Sequence, residues 1–192
     1  MLIKSAIQDR LYRKKRFKLG NGMFSVVHSA KADRVVKVGN LDDAWPMYVL
    51  WARQNGYLGT FAPMVYSFRV LGDCYVAICE RLEPIPNDDS LLRVVSQLCN
   101  YREEMPEPYT SFGRDLKSSL LTSGKAKHDL GVTNVMLRRD VIVINDPIYR
   151  PDYSCLVECQ RDLVDLYARR EPIACKLQRP CPWQDIQIGQ HP

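Results

Sequence analysis

The sequence predicts an α+β protein with two lobes, in which a five-stranded antiparallel sheet carrying one helix precedes a reduced, mainly helical lobe. Three observations lead to this prediction. Short apolar runs separated by glycine-containing turns fill residues 17–80, as expected of antiparallel strands. An extended segment with Pro84 and Pro86 follows the last of these strands, and proline there opposes a helix. Beyond that segment, apolar residues recur mainly at helical spacing.

The small lobe is predicted to comprise residues 17–83, after a basic, amphipathic leader over residues 1–16. Its first two strands flank Gly20-Asn21-Gly22, where glycine allows the backbone to take positive φ angles. A third strand contains Lys37 among three valines, and this apolar run predicts a strand that is buried on both faces.

One helix and a hairpin complete the small lobe. Asp43 can cap a helix that runs to about Asn55, with a proline tolerated in its first turn. Residues 64–70 and 74–80 then form two strands joined by a glycine-containing turn. The sheet therefore has five strands.

The second lobe is predicted to comprise residues 84–175, and an irregular, proline-rich tail follows over residues 176–192. Helices are expected after Asp88, over residues 111–123 and over residues 154–170. Gly124 is the expected stop of the second of these helices. The apolar stripe of the last helix indicates a core face rather than an interface.

Two carboxylates and a carboxamide are predicted to meet between the helices of the second lobe. Asp129 precedes Asn134 by five residues, and Asp146 follows Asn134 by twelve. The short apolar runs 135–137 and 141–144 lie between the last two and predict a tight β-hairpin, which brings Asn134 and Asp146 to the same end. Such a group suits phosphoryl transfer, with one acid to orient a hydroxyl and two oxygen ligands for Mg²⁺. The alternative is that Asp129 and Asn134 only form turns.

The order D-x-x-x-x-N, hairpin, D resembles the catalytic and metal loops of protein kinases and related phosphotransferases. Upstream, G-x-G-x-x-S-x-V and V-V-K-V resemble the glycine-rich loop and the lysine-bearing third strand of the same proteins, which implies a minimal bilobal protein-kinase-like fold. The resemblance implies Asp129 as catalytic base, Lys37 as the cation on the α- and β-phosphates, and Asn134 and Asp146 as Mg²⁺ ligands. It also implies an ATP site formed by these residues: Gly20, Asn21, Gly22, Met23, Phe24, Ser25, Val27, Lys37, and the backbone of Glu80 and Leu82.

The sequence departs from the kinase pattern at the partner of Lys37. The helix of the small lobe normally carries a glutamate that pairs with the strand lysine, and no Glu occurs between Gly39 and Cys79. Either Asp42 or Asp43 replaces it, or Asp146 and the phosphates alone hold Lys37. Both interpretations stay open on the sequence.

Four segments together resemble a narrower family, the early serine/threonine protein kinases of short-tailed coliphages. They are F-K-L-G-N-G-M-F-S (17–25), R-V-V-K-V-G (34–39), G-D-C-Y-V (72–76) and D-L-G-V-T-N-V-M (129–136). The resemblance covers roughly residues 15–150. It implies a kinase that phosphorylates host RNA polymerase, ribonucleases and translation factors, as well as itself, in the cytoplasm of the infected bacterium.

Two other functions are compatible with the same residues. One is a catalytically weak kinase-like module that inhibits a host protein by binding it, and the other is a small-molecule phosphotransferase. The oligomeric state has no signature in the sequence.

The composition of the sequence indicates in which cellular compartment the protein is expected. No apolar run approaches the length of a membrane span and no signal peptide is evident, which predicts a cytoplasmic protein without a membrane partner. Seven cysteines without a C-x-x-C pair predict free thiols in a reducing compartment. The net charge of +5 is modest, and its densest cluster, residues 13–16, is interpreted as a solvated basic tail rather than a nucleic-acid site.

Overall fold

A computed structural model describes residues 6–7, 9–10, 17–100, 104–149 and 153–170. Most of the predicted basic leader and the whole predicted tail over residues 176–192 lie outside the described residues. Five strands form one antiparallel sheet in the order β1-β2-β3-β5-β4. Their bounds are Lys18–Asn21 (β1), Ser25–Ser29 (β2), Arg34–Asn40 (β3), Val65–Leu71 (β4) and Cys74–Glu80 (β5). The α+β class and the five-stranded antiparallel sheet with one helix are thus confirmed.

The described helices follow the predicted order. They are α1 (Trp45–Gln54), α2 (Asp89–Cys99), α3 (Thr110–Leu116) and α4 (Tyr153–Ala168). As predicted, Asp88 caps α2, since its side chain accepts a hydrogen bond of 2.9 Å from the backbone N–H of Leu91. Helix α3 continues as a π-helical turn, Lys117–Leu121, which the spacing of apolar residues did not predict. Gly124 ends the segment with φ of 72°, a conformation that favours glycine.

Short strands build the second lobe around the predicted hairpin. They are β6 (Glu83–Pro84), β7 (Lys127–His128), β8 (Val135–Arg138), β9 (Val141–Ile144) and β10 (Ile148–Tyr149). Strands β6, β8 and β9 form one small sheet, and β7 pairs with β10. The turn between β8 and β9 has Arg139 in the left-handed region with φ of 58°. The hairpin between Asn134 and Asp146 is therefore confirmed.

Helix α4 packs on the small lobe, although the sequence places it within the second lobe, residues 84–175. Tyr167 donates a hydrogen bond of 2.9 Å to the carbonyl of Val65 in β4. Gln160 donates one of 2.7 Å to the carbonyl of Leu41, just before α1. The apolar stripe of α4 predicted burial correctly, because Leu156 and Leu163 are in the core. Periodicity indicates which face is buried but not which element covers it.

An aromatic cluster joins the two lobes behind the cleft. Phe112 of α3 meets Trp51 of α1 edge-on, with ring centroids 5.3 Å apart. Tyr57 and Phe61, from the loop after α1, pack on Phe112 and on Tyr109, with centroids 5.1 Å and 4.7 Å apart. Most buried residues of both lobes consequently form one continuous core, and Val36, Val38 and Cys74 form a second, smaller cluster. Within the described residues, no helix combines the length and apolarity needed to cross a bilayer.

Candidate active site

A cavity of about 400 Å³ lies between the β1–β2 strands and the β8–β9 hairpin. The glycine turn, the end of β5 and the hairpin contribute to its walls. The predicted ATP-site residues that line it are Gly20, Asn21, Gly22, Ser25, Val27, Lys37, Glu80 and Leu82, and both predicted metal ligands, Asn134 and Asp146, also line it. Cavities of this size accept ligands as large as a nucleotide.

A second cavity of about 370 Å³ adjoins the first and shares Gly22, Ser25, Asn134 and Asp146 with it. The predicted base, Asp129, lines this second cavity rather than the first, and its side chain is exposed. Met23 and Phe24, at the tip of the glycine turn, also line the second cavity. The residues predicted from sequence thus surround two connected spaces, one beside the hinge and one beside Asp129.

Lys37 lies at the junction of the lobes in a buried position. Its side chain extends from the middle of β3, and the residue is 6% exposed. The ammonium lies 3.3 Å from Asp146 Oδ2 and 3.9 Å from Asp43 Oδ2. It also lies 4.3 Å from the centre of the Trp45 ring, within cation–π distance. Of the acids that the sequence left open as partners of Lys37, Asp146 and Asp43 both lie beside the ammonium, and Asp146 is the nearer.

Asp146 is a carboxylate in a partly dehydrated position. Burial raises its pKa from an ordinary 3.8 to about 6, the Lys37 ammonium opposes that rise, and the Asp43 carboxylate adds to it. The position follows from the hairpin, since Asn145 N–H donates 2.8 Å to the Asn134 carbonyl and closes the end that carries Asp146.

Asn134 is oriented by the segment that carries Asp129. Its Nδ2 donates hydrogen bonds of 2.6 Å to the Asp129 carbonyl and 3.4 Å to Asp129 Oδ2. These bonds leave Asn134 Oδ1 for another partner, just as Lys37 leaves Oδ1 of Asp146. One carboxylate and one carboxamide oxygen form a donor set that suits Mg²⁺, which normally takes its remaining ligands from phosphates and water. Among the described residues, no three His, Cys, Asp or Glu side chains form a metal-binding group.

The hinge after β5 is held by an Arg–Glu pair. Arg138 donates to both carboxylate oxygens of Glu80, with Nε 2.7 Å from Oε2. The same guanidinium donates to the carbonyls of Thr60 and Ala62, at 2.7 Å and 3.1 Å. The N–H of Glu80 is bonded to the Met64 carbonyl at 2.9 Å. The Glu80 side chain and N–H are therefore engaged in structural bonds, which leaves its backbone carbonyl for the predicted contact with adenine.

Sequence reasoning missed several residues of the cleft. Apolar side chains of Val35, Trp45 and Met136 line the larger cavity, and Tyr149 lines the second. The two-residue period of β8 gave a signal for Met136, because it shares a face of the strand with Arg138. Trp45 had no such signal, since its spacing in α1 indicates only a core position.

Comparisons with known proteins find solved structures that match this chain with low sequence identity and low TM-scores. No family model matches the sequence, and no curated protein matches it. The crystal structure of WbdD, a bifunctional kinase-methyltransferase, is 16% identical, with a TM-score of 0.41. That alignment covers 82% of this chain and 41% of WbdD, so the chain spans less than half of that protein.

Two aminoglycoside phosphotransferases are similar over more of their length. APH(4)-Ia is 12% identical with a TM-score of 0.41, over 88% of this chain and 83% of that one. APH(3'')-Id from Streptomyces rimosus is 16% identical with a TM-score of 0.42, over 86% and 83%. These similarities are too weak to assign a function.

Proposed function

We propose that this chain is an ATP-dependent, Mg²⁺-requiring protein kinase that transfers a phosphoryl group to serine and threonine hydroxyls. The observation that carries the proposal is the 3.3 Å contact between Lys37 of the small lobe and Asp146 of the second lobe. A phosphate-binding cation and a metal-binding carboxylate must lie this close to act on one triphosphate. Their cavity has the glycine turn on one side and the hinge at one end.

The residues of the cleft have separate tasks in this proposal. Backbone N–H groups of the turn between β1 and β2 face the phosphates, apart from that of Gly22, which donates a hydrogen bond of 2.8 Å to the Ser25 carbonyl. Lys37 supplies a compact positive charge to the α- and β-phosphates. Asn134 and Asp146 hold Mg²⁺, which neutralises charge on the phosphates when it is bound. Asp129, exposed in the second cavity, accepts a hydrogen bond from the attacking hydroxyl and orients it.

The acceptor is proposed to be a protein. The four sequence segments that resemble early coliphage kinases support this choice, and the exposed Asp129 carboxylate is compatible with a large substrate. The proposed substrates are therefore host RNA polymerase, ribonucleases, translation factors and the chain itself, in the cytoplasm of an infected bacterium.

Incubation of the protein with γ-labelled ATP, Mg²⁺ and a bacterial lysate tests the proposal. Label on serine and threonine of lysate proteins is the expected result. Asp129→Ala and Asp146→Ala should each lower the rate by about 10²–10³-fold or more, as for other groups that act in the transition state. Asp140→Ala, in the exposed turn of the same hairpin, is the matched control and should keep the wild-type rate.

Three outcomes would contradict the assignment. Transfer of the phosphoryl group to small molecules alone would show that the acceptor is not a protein. Absence of transfer together with tight binding to a host protein would favour an inhibitory binding module. Wild-type transfer by either aspartate variant would show that the residue roles are wrong.

A further inference from the structure

Asp43 is a buried carboxylate that has no role in the proposed steps of phosphoryl transfer. It lies in the turn before α1, and the residue is 5% exposed. Its Oδ2 is 3.9 Å from the Lys37 ammonium, on the same side of the cleft as the second cavity. A carboxylate in such a position needs hydrogen bonds and a nearby cation, because burial of an unpaired charge is strongly unfavourable.

Two fixed donors hold the Asp43 carboxylate in place. The buried hydroxyl of Tyr75, in the middle of the sheet, donates a hydrogen bond of 2.5 Å to Oδ2. The backbone N–H of Trp45, at the first turn of α1, donates one of 3.1 Å to Oδ1. Charge-assisted bonds of this kind are short and define an orientation as well as a position. Asp43 thus presents to Lys37 an oxygen whose location is set by the sheet.

Tyr75 is itself locked by its surroundings. Its ring stacks between Trp45 and Phe68, with centroids 5.7 Å and 5.4 Å away. It also lies directly over Gly39 of β3, where a Cβ atom would come within 2.3 Å of the ring. The absence of a side chain at residue 39 is what leaves room for the ring, so Gly39, Tyr75 and Asp43 form one packed unit beneath Lys37.

Helix α1 is enclosed and does not have an open face on which to move. Every residue from Trp45 to Arg53 is buried. Tyr48 donates a hydrogen bond of 2.6 Å to the Ile144 carbonyl in β9, and Trp51 packs on Phe112 of α3. Helix α4 covers another side of α1. In protein kinases whose strand lysine pairs with a carboxylate on this helix, movement of the helix makes or breaks the pair. Here the carboxylate precedes the helix and is bonded to the sheet.

We propose that Asp43 is the positioning residue for Lys37. We also propose that the Lys37–Asp43 ion pair is already formed in the protein before any activating modification or partner binding. This inference rests on the proposed function and defines its regulation. Asp146 is the carboxylate placed to take Mg²⁺, so Asp43 gives Lys37 a second carboxylate partner when Asp146 binds the metal. The pairing replaces the helix glutamate that the sequence lacks.

The first test compares three isosteric or near-isosteric variants in the ATP-dependent transfer assay. Asp43→Asn should lower kcat by about 10²-fold, and Tyr75→Phe, which removes only the hydroxyl, should lower it by about tenfold. Asp42→Asn is the matched control, because Asp42 is adjacent but exposed, and it should keep the wild-type rate. Thermal unfolding is measured for each variant to separate loss of position from loss of fold. Wild-type kcat in folded Asp43→Asn would overturn the proposal.

The second test measures Lys37 directly and needs no catalysis. The Asp43 carboxylate helps to hold the buried Lys37 side chain in place, so its loss should let the amine meet a reagent in solution more often. Acylation of Lys37 by an amine-selective reagent, followed by peptide mass spectrometry, should be faster in Asp43→Asn than in wild type and unchanged in Asp42→Asn. Equal rates in all three proteins would refute the pairing. If wild type transfers no phosphate at all, the proposed function fails, and this labelling still decides the pairing.

The third test concerns activation. Wild-type protein treated with phosphatase, with its unmodified mass confirmed, should transfer phosphate at its full rate without a lag. A lag that disappears after preincubation with ATP would show that the pair needs an activating event, and would overturn that part of the proposal.

Discussion

Arg138 links the hinge, the loop after α1 and the β8–β9 hairpin, and its removal should be among the most destabilising single changes at the cleft. Arg138→Met keeps the aliphatic stem but removes four hydrogen bonds, two to Glu80 and one each to the carbonyls of Thr60 and Ala62. Breaking a fully buried pair costs about 3–5 kcal/mol. The two side chains here are 24% and 11% exposed, so water replaces part of what is lost. We expect the free energy of unfolding to fall by about 2–4 kcal/mol.

Urea denaturation followed by tryptophan fluorescence measures this loss. Arg138→Lys should recover only part of it, because an ammonium cannot donate in the forked geometry of a guanidinium. Arg139→Gln, at the neighbouring exposed residue, is the control and should change stability by less than about 0.5 kcal/mol. A loss below about 0.5 kcal/mol for Arg138→Met would refute the reasoning, since it would mean that the four bonds contribute no more than a surface contact.

Three further perturbations test other parts of the structure. Gly39→Ala would place a Cβ 2.3 Å from the Tyr75 ring and should destabilise the protein by about 1–3 kcal/mol in thermal unfolding, whereas Gly131→Ala, with nothing within 4 Å, should not. Because the pKa of Asp146 is raised to about 6, protons compete with Mg²⁺ at mildly acidic pH. The apparent Mg²⁺ affinity, corrected for proton binding by the nucleotide, should be about fourfold weaker at pH 5.5 than at pH 7.5, and an unchanged affinity would contradict the raised pKa. Burial raises the pKa of the Cys79 thiol to about 12, so iodoacetamide at pH 8 should label Cys79 only after unfolding in urea.

Local sequence signals were sufficient for the parts of the fold that depend on neighbouring residues. The two short apolar runs and the turn between them predicted the hairpin and therefore the proximity of Asn134 and Asp146. Asp88 correctly predicted the start of α2, and Gly124 correctly predicted the end of the helical segment that continues from α3. Each of these features rests on backbone geometry within a few residues.

The rest depended on contacts between residues distant in sequence. Asp43 and Tyr75 are 32 residues apart, and Lys37 and Asp146 are 109 apart. No periodicity in the chain indicates that these side chains share one site, and only the resemblance to kinases implied it for Lys37 and Asp146. Helix α4 shows the same limit, because its stripe predicted burial while its partner, the small lobe, is set by the packing of α1 and β4. For the partner of Lys37 the sequence left two alternatives, and the folded chain brings both Asp43 and Asp146 to it.

The central claim is that Lys37 and Asp146 act on one bound triphosphate. A crystal structure of the protein with Mg²⁺ and a non-hydrolysable ATP analogue tests it most directly. We expect the Lys37 ammonium within hydrogen-bond distance of an α- or β-phosphate oxygen, and Asp146 with Asn134 on the metal that contacts the same nucleotide. A nucleotide bound away from Lys37, or a metal held without Asp146, would contradict the account.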